Sequence, residues 1–401
     1  MVTGRRIKNE GTLIDFLVRI ECITVFAIYL FTILEQDTAV SACIALNFLI
    51  ITGMTAMSFF GRGEVKIFFI WFFAVGFSLL SVIVTGYSLS FGYLKKWLMF
   101  ASTVNMFFWV SNSDISEDMI KSLKKTATLI ALLFVCAYVI GEKGDPASFN
   151  GALTFNFSNP NFTAISILPI CFYMFILASE HNTKMRGLLY LALALALIWF
   201  VWQTTARACI LSVIAFFAML IFCRRYSRIV TFVVVIFPVV FAVIYMKLID
   251  TDFIEHLEFL ETEGKSLTSR ESIWTYVFAI IKRYPVLGNY YVATSGSGLS
   301  NLHNIHLDTM ASYGMIVFAF TVWIMVAVLN KIGEGARKWG MVGIAAMYAV
   351  ILSGTFEAAL FSGSQGVYFL IGGFLMMSKY YKKQRATLAE DTEQNYIKCD
   401  S

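Results

Sequence analysis

The sequence predicts an all-α integral membrane protein, a polytopic helical bundle with about twelve transmembrane helices, and three observations support this fold class. Hydrophobic residues make up 58% of the 401 residues, charged residues only 14%, and the mean hydropathy is +0.73. These fractions lie outside the usual composition of a soluble domain. Apolar runs also recur along almost the whole chain, and about 20 apolar residues suffice for a helix to cross a bilayer.

The apolar runs give twelve candidate spans, with one long polar interruption before the tenth. The spans are 16–34, 39–59, 66–84, 92–111, 126–141, 162–179, 187–203, 207–222, 229–248, 304–330, 339–356 and 361–378. The first is too long for the hydrophobic part of a cleaved secretory signal, so we expect it to remain as an anchor. Residues 1–378 are therefore predicted as a single transmembrane domain, and residues 379–401 as a charged, disordered cytoplasmic tail.

Most of the 31 Lys and Arg residues fall at alternate ends of these spans, beginning with the N-terminal segment. Basic loops stay in the cytoplasm. Both termini are therefore predicted to be cytoplasmic, and the segment 249–302 extracytoplasmic. The net charge of +5 follows from this topology, so it gives no reason to expect a nucleic-acid partner, and the lipid bilayer is the partner that the composition indicates.

The polar interruption at 249–302 is predicted to contain an amphipathic helix and a loop. A capping-box pattern at Thr268 opens the helix, and apolar residues then recur at helical spacing until Pro285 stops the run. We expect this helix to lie on the outer membrane surface, with Arg270 in its first turn. The stretch 288–300, rich in Gly, Ser and Asn, predicts a flexible loop, after which His303 stands at the start of the tenth span.

Two cations and a base on this outer face suggest chemistry on an anionic substrate. Arg207 opens a span within QTTARACIL, and it joins Arg270 and His303 on the predicted outer face. Phosphate recognition uses planar, permanently charged donors, and deprotonating a hydroxyl needs a group that titrates near neutral pH. Each residue also has a simpler interpretation: an arginine that reaches lipid phosphate, a surface helix residue, and an interfacial histidine. The three together are more specific than any one alone.

The order of short motifs resembles that of the O-antigen ligase and polysaccharide polymerase superfamily. Thr-Ala-Arg ends at Arg207, Ser-Arg ends at Arg270, Pro-Val-Leu-Gly covers 285–288, and His-Asn begins at His303. Asn-Pro-Asn at 159–161 resembles a motif of the polymerase branch. No single motif is strong, and the likeness rests on their order, spacing and shared membrane face.

The resemblance, which covers about residues 155–320, implies a GT-C-like helical membrane glycosyltransferase. Its donor would be an undecaprenyl-pyrophosphate-linked glycan, and its acceptor a glycan or a lipid-linked molecule. Arg207 and Arg270 would bind the donor pyrophosphate, and His303 would be the catalytic general base, with inversion and without a metal or other cofactor. His306, three residues later on the same helical face, is the alternative base. A chain-length regulator or a flippase is the partner protein that such an enzyme would meet.

Other polar residues near the outer face are candidate substrate contacts. They are Asn159, Asn161, Asn304, Lys95 and Lys96. Asn-Pro-Asn is also an ordinary helix-start sequence, and the two lysines also fit snorkelling to the interface. Tyr290 and Tyr291 are candidates for stacking on sugar rings, although aromatic residues are common at membrane interfaces anyway.

We expect a polymerase that joins lipid-linked repeat units at the outer face of the bacterial cytoplasmic membrane. A ligase that transfers the same glycan to a lipid core or another terminal acceptor is the close alternative. A secondary transporter or a lipid-linked oligosaccharide flippase is the alternative from another class. Transporters carry ionisable or helix-breaking residues near mid-membrane, whereas the charges of these spans are expected at their ends, apart from Lys95 and Lys96. This favours an enzyme that works at one face.

Overall fold

A computed structural model describes residues 2–62, 65–85, 91–144, 151–180, 183–223, 225–249, 268–293, 302–336, 339–356 and 367–399, and the regular elements in these ranges are α-helices. In chain order they are α1 (Val2–Ile33), α2 (Asp37–Arg62), α3 (Val65–Thr85), α4 (Phe91–Asn112), α5 (Glu117–Ile140), α6 (Pro160–Glu180), α7 (Lys184–Gln203), α8 (Arg207–Phe222), α9 (Arg228–Ile249), α10 (Thr268–Arg283), α11 (Ile305–Gly333), α12 (Trp339–Ser353) and α13 (Val367–Cys399).

Eight of the described helices are long and apolar enough to cross a membrane: α1, α2, α3, α5, α6, α7, α9 and α11. Helices α8 and α12 are apolar but shorter. The prediction of an all-helical, multi-pass membrane protein is therefore confirmed. Each predicted span overlaps one of these ten helices, or α4, or α13, while the count of twelve spans and the GT-C-like class stay predictions.

Large apolar side chains cover the outside of the bundle. Phe69 and Phe72 of α3, Leu188 and Leu189 of α7, and Phe232 of α9 are all more than half exposed. Helix α6, in contrast, is buried on nearly all sides. An exterior this apolar would cause aggregation in water, and it is suited to contact with the lipid chains of a bilayer.

Hydrogen bonds between distant segments show which helix ends lie together. Asn156 Nδ2 donates to the Ile33 carbonyl (2.8 Å), and the Leu153 amide donates to the Gln203 carbonyl (3.1 Å). The ends of α1 and α7 and the segment before α6 therefore share one end of the bundle. We name it the site end, because the candidate residues are found there.

The start of α11 belongs to the same end. Helices joined by a few residues run antiparallel, and the short connections from α1 to α4 therefore bring the start of α4 back to the site end. Lys96, near the start of α4, pairs with Asp308 near the start of α11. The Ile305 amide also donates to the Gly354 carbonyl just after α12 (2.8 Å).

The opposite end collects lysine side chains. Lys331 Nζ donates to Asn112 Oδ1 (3.0 Å), and Lys379 Nζ donates to the carbonyls of Val110 (2.9 Å) and Ser111 (3.1 Å) at the end of α4. Cations thus satisfy the last carbonyls of a helix, where the helix dipole favours them. This is the end that the positive-inside pattern assigns to the cytoplasm.

The prediction of a disordered tail is wrong for residues 379–399. Helix α13 continues through this stretch to Cys399. Its first turns after the apolar part are tied to other helices, because the Tyr381 hydroxyl donates to Glu180 of α6 and accepts from Lys124 Nζ of α5 (2.8 Å). Composition alone misses this docking, since the partners are far away in the sequence.

Candidate functional site

Helix α11 is broken at Gly314, where φ is 89° and ψ is 172°. The segment that follows α10 fills the break. The Met315 amide donates to the Pro285 carbonyl (2.8 Å), and the Asn289 amide donates to the Ala311 carbonyl (2.8 Å). The backbone groups freed by the break thus find partners inside the protein, as non-helical backbone at membrane depth requires.

Two glycines permit this close approach. Gly288 and Gly314 both have positive φ, 64° and 89°. A Cβ on Gly288 would lie 2.7 Å from the Ala311 carbonyl oxygen, and a Cβ on Gly314 would overlap the Val286 carbonyl group. The Pro-Val-Leu-Gly motif noted in the sequence therefore has a structural role, because it crosses α11 at its break.

Helix α3 secures the same region through two hydroxyls. Ser81 Oγ donates to the Ser312 carbonyl (2.8 Å), and Thr85 Oγ1 accepts from the Tyr290 amide (2.9 Å). The first third of α11 and the segment after α10 are thus held by a third helix. These contacts fix the position of the start of α11 relative to α3 and α10.

The flexible loop predicted at 288–300 is contradicted where the structure describes it. Residues 290–293 form a helical turn, and Tyr290 is fully buried. Its ring stacks on Tyr313, with 5.6 Å between centroids, and Tyr313 packs on Phe100 at 4.5 Å. Tyr290 therefore serves the core and is not placed to stack on a sugar, whereas Tyr291 is exposed. Residues 294–300 lie outside the described residues.

Asn304 caps α11 and cross-links three elements. Its Oδ1 accepts from the amides of His306 and Leu307, both at 3.0 Å, and its Nδ2 donates to the carbonyls of Pro238 (2.9 Å) and Thr355 (3.1 Å). The side chain is fully buried. All of its capacity as a donor is used within the protein, so its role is structural and not the substrate contact predicted for it.

His303 directly precedes this cap and adopts a left-handed backbone conformation, with φ of 54°. The conformation is uncommon for a residue with a Cβ, although histidine is among the residues enriched there. Its side chain is partly exposed. The anchored cap therefore holds His303 partly exposed at the site end, in a strained conformation of the kind that clusters at functional sites.

His306 has the opposite environment. It is fully buried, its Nε2 is hydrogen-bonded to the Val235 carbonyl of α9, and its ring meets Phe318 edge to face at 5.3 Å. The prediction that His303 and His306 share a helical face is wrong, because α11 begins only at Ile305. The two imidazoles thus have different surroundings, since that of His303 is partly exposed and that of His306 lies in the core.

Lys96 forms a buried ion pair with Asp308. The Nζ lies 2.6 Å from Asp308 Oδ1 and 3.2 Å from Ser312 Oγ, and the side chains of Lys96 and Asp308 are 11% and 4% exposed. The sequence reading of Lys96 as a snorkelling or phosphate-binding lysine is therefore replaced by an ion pair between α4 and α11. Lys95 is partly buried beside it in the chain.

Arg207 is the first residue of α8 and is exposed. Thr205 before it has a positive φ of 57°, and the N-cap residue Ala206 provides no side-chain cap. The first amides of a helix form a ready anion site when no side chain caps them. Arg207 adds a permanent positive charge at that point, where the helix dipole disfavours a cation unless an anion accompanies it.

Arg270 lies in the first turn of α10, as predicted, although its side chain is outside the described residues. The helix itself is fixed by its apolar face. Trp274 is fully buried and meets Tyr245 of α9 edge to face at 5.4 Å, and Val277 and Ile280 are buried in the same cluster. The predicted surface helix is thus packed against α9 and α11, so the position of Arg270 is set by protein contacts.

The Asn-Pro-Asn motif opens α6. Asn159 Oδ1 accepts from the Phe162 amide (2.9 Å), which is an N-cap hydrogen bond, and Pro160 is the first helical residue. Asn161 is partly exposed. Of the two asparagines predicted as substrate contacts, Asn159 therefore has a structural use, and Asn161 has its side chain partly open to the site end.

Arg207, Asn161 and His303 thus all lie at the site end. Arg207 and Asn161 are in the first turns of α8 and α6, and His303 directly precedes the N-cap of α11. Sequence reasoning missed Asp308, although an acidic residue inside a predicted span is a signal in itself. Lys96, at a similar depth in another predicted span, is a cation that could neutralise it. Pairing the two requires knowing that α4 and α11 are neighbours.

Comparisons with known proteins add no relative. No protein-family model matches the chain, and a search of curated proteins finds no significant match. The resemblance to the O-antigen ligase and polysaccharide polymerase superfamily therefore rests on the order of the sequence motifs.

Proposed function

We propose that the chain is a membrane glycosyltransferase that polymerises undecaprenyl-pyrophosphate-linked repeat units. The observation that carries the proposal is that one end of the bundle holds both an exposed arginine, on a helix start whose N-cap residue provides no side-chain cap, and a partly exposed histidine. Arg207 supplies the first and His303 the second. One group fits an anionic leaving group, and the other fits a hydroxyl that must lose its proton.

The chemistry needs little beyond these two functions. A pyrophosphate leaving group is already ionised, so its departure is favoured by positive charge more than by protonation. Arg207, the first amides of α8 and the Arg270 guanidinium would bind the pyrophosphate. Guanidinium groups suit this task because their planar donors bind phosphate in a bidentate manner.

His303 is the better base of the two histidines. A general base must come within hydrogen-bond reach of the hydroxyl that it deprotonates. The His306 imidazole is buried and bonded to the Val235 carbonyl, whereas the His303 side chain is partly exposed. Asn304, with α3 and the segment after α10 packed against the first third of α11, would hold His303 in position while substrates bind and products leave.

Orientation enters the same proposal. The lysine-rich end would face the cytoplasm, and the site end would face outward from a bacterial cytoplasmic membrane, where lipid-linked glycans are joined. Both chain termini would then be cytoplasmic. Labelling of single introduced cysteines with a membrane-impermeant reagent tests this directly: position 205 should react in intact cells, and position 225 only after lysis.

A deletion strain tests the activity. Loss of a polymerase should leave single lipid-linked repeat units, whereas loss of a ligase should leave long lipid-linked chains. The wild-type gene should restore long chains, and variants at Arg207, Arg270 and His303 made at normal levels should not. Elongation by all three variants would overturn the proposed site.

A transporter or flippase is the second candidate. The sequence argues against it because the charges of the spans are expected at their ends, and two structural observations weaken that argument. Glu21 is fully buried within α1, and α11 is broken at Gly314, so ionisable and helix-breaking residues do occur inside the spans. Purified protein assayed both in detergent and in liposomes separates the two functions. Glycan elongation in detergent, where no compartment exists, supports the enzyme, and translocation of lipid-linked glycan without elongation supports the transporter.

A further inference from the structure

A carboxyl group and a carboxamide face each other inside the bundle, on two helices that carry none of the candidate site residues. Glu21 lies in the middle of the α1 span, Asn47 lies in the middle of α2, and both are fully buried. Asn47 Nδ2 donates a hydrogen bond to Glu21 Oε1. Within the described part of the chain, the other two oxygens of the pair, Glu21 Oε2 and Asn47 Oδ1, are buried and have no hydrogen-bond partner.

Two unpartnered acceptors side by side are costly, and an ionised carboxylate among them is costlier still. Two titratable groups interact electrostatically with Glu21, the Cys22 thiol on α1 and the Tyr368 hydroxyl on α13. Both are uncharged at neutral pH. Each of these groups has a hydroxyl neighbour, Thr126 of α5 beside Cys22 and Ser102 of α4 beside Tyr368. No cation of the described residues compensates a charge on Glu21.

A single proton resolves this arrangement. Placed on Glu21 Oε2, it makes that oxygen a donor, and Asn47 Oδ1 is an acceptor without a partner. The acid and the amide then exchange two hydrogen bonds in a closed ring, Nδ2–H to Oε1 and Oε2–H to Oδ1. Every polar atom of both groups that faces the other is satisfied, and the pair is neutral.

We propose that Glu21 and Asn47 form a proton-binding site inside the membrane, occupied by a proton taken from water when the bundle assembles. The closed acid–amide ring joins α1 to α2, and loss of the proton would leave a bare carboxylate facing an amide oxygen. The protonated pair is therefore a neutral contact between α1 and α2, and its two hydrogen bonds cannot both persist once Glu21 loses the proton. It is independent of the glycosyltransferase proposal, because no residue of the candidate site takes part.

Infrared spectroscopy of the purified full-length protein tests the proton directly. At neutral pH the wild type should show the carbonyl band of a buried protonated carboxylic acid, shifted in D₂O, and Glu21→Gln should remove it. Glu180→Gln is the matched control, because Glu180 has a cation partner in Lys124 that Glu21 lacks, so the band should persist. Persistence of the band in Glu21→Gln, or its absence from the wild type, would overturn the proposal.

Thermal unfolding gives a second readout. Glutamine reproduces the protonated acid, since its amide can donate to Asn47 Oδ1 and its carbonyl can accept from Asn47 Nδ2. Glu21→Gln should therefore keep the wild-type melting temperature, whereas Glu21→Ala and Asn47→Ala should both lower it. A melting temperature that rises with sodium concentration in the wild type and loses that dependence in Glu21→Gln would show that the site holds a metal cation, and the proton would be excluded.

Discussion

Lys96 Nζ and Asp308 Oδ1, 2.6 Å apart, join α4 to the start of α11 shortly after His303. Removing one partner of a buried ion pair leaves the other charged and without compensation. We expect Lys96→Met to lower the free energy of unfolding by about 3–5 kcal/mol. Lys96→Met with Asp308→Leu should recover much of that loss. Denaturant unfolding of the purified variants in one detergent measures both.

An exposed ion pair in the same chain is the control for this cycle. The side chains of Arg19 and Asp118 are each 56% exposed, with 3.2 Å between them. Arg19→Met should cost about 0–1 kcal/mol, as is usual for surface pairs. A double variant of the buried pair that is no more stable than Lys96→Met would contradict the ion-pair account.

The two histidines should fail in different ways. His303→Ala should lower the rate of glycan elongation by about 10²–10⁴-fold, the usual contribution of a general base, with little change in melting temperature. His306→Ala should instead lower the melting temperature, because it removes a buried side chain and leaves the Val235 carbonyl without this donor. Rates from a lipid-linked donor and melting curves on the same samples separate the effects. An inactive but fully stable His306→Ala protein would reassign the base.

Arg207 should not tolerate lysine. Arg207→Lys keeps the positive charge but loses the planar pair of donors that binds phosphate in a bidentate manner. Loss of one charge-assisted hydrogen bond is worth about 1.5–3 kcal/mol, which corresponds to a roughly 10- to 150-fold weaker donor affinity. The affinity for a pyrophosphate-linked lipid, measured at fixed ionic strength, checks this. Equal affinities in the two proteins would remove Arg207 from the donor site.

Gly314 should be intolerant of any side chain. Gly314→Ala places a Cβ against the Val286 carbonyl and keeps φ at about 89°, so we expect a cost of at least about 1–3 kcal/mol from the backbone conformation alone. Gly76→Ala in α3 is the matched control, because a Cβ there meets nothing within 4 Å. Its melting temperature should equal or exceed that of the wild type. Similar melting temperatures for both variants would argue against a rigid junction at the break.

Lys379 should anchor α13. Its Nζ donates to three carbonyls at the end of α4 and just after it, those of Val110, Ser111 and Ser113. Lys379→Met should cost about 1.5–3 kcal/mol. Lys382→Met should cost little, since that side chain makes one exposed contact at 3.4 Å. Melting temperatures of the two variants check the prediction, and equal shifts would show that the anchor is elsewhere.

Hydropathy predicts where helices lie along the chain but not which faces meet. The spans and the starts at Arg207 and Asn159 follow from local composition and from capping and turn signals, which act over a few residues. The Lys96–Asp308 pair, the buried Glu21 and the crossing at Gly314 depend on how helices rotate and which become neighbours. Those contacts join residues far apart in the sequence, so the hydrophobic periodicity within one span cannot predict them. For this reason the expectation that the charges of the spans lie at their ends, apart from Lys95 and Lys96, is wrong for Glu21.

The first third of α11 has a consequence for membrane insertion. It carries buried polar side chains before the break at Gly314; these are His306, Asp308, Thr309 and Ser312. In the two-stage picture, helices enter the bilayer separately and associate afterwards, yet this stretch is too polar to rest in lipid. It needs Ser81 of α3 and Lys96 of α4 as partners. Because α3 and α4 leave the ribosome long before α11, synthesis from the N-terminus has the receiving surface ready when α11 arrives.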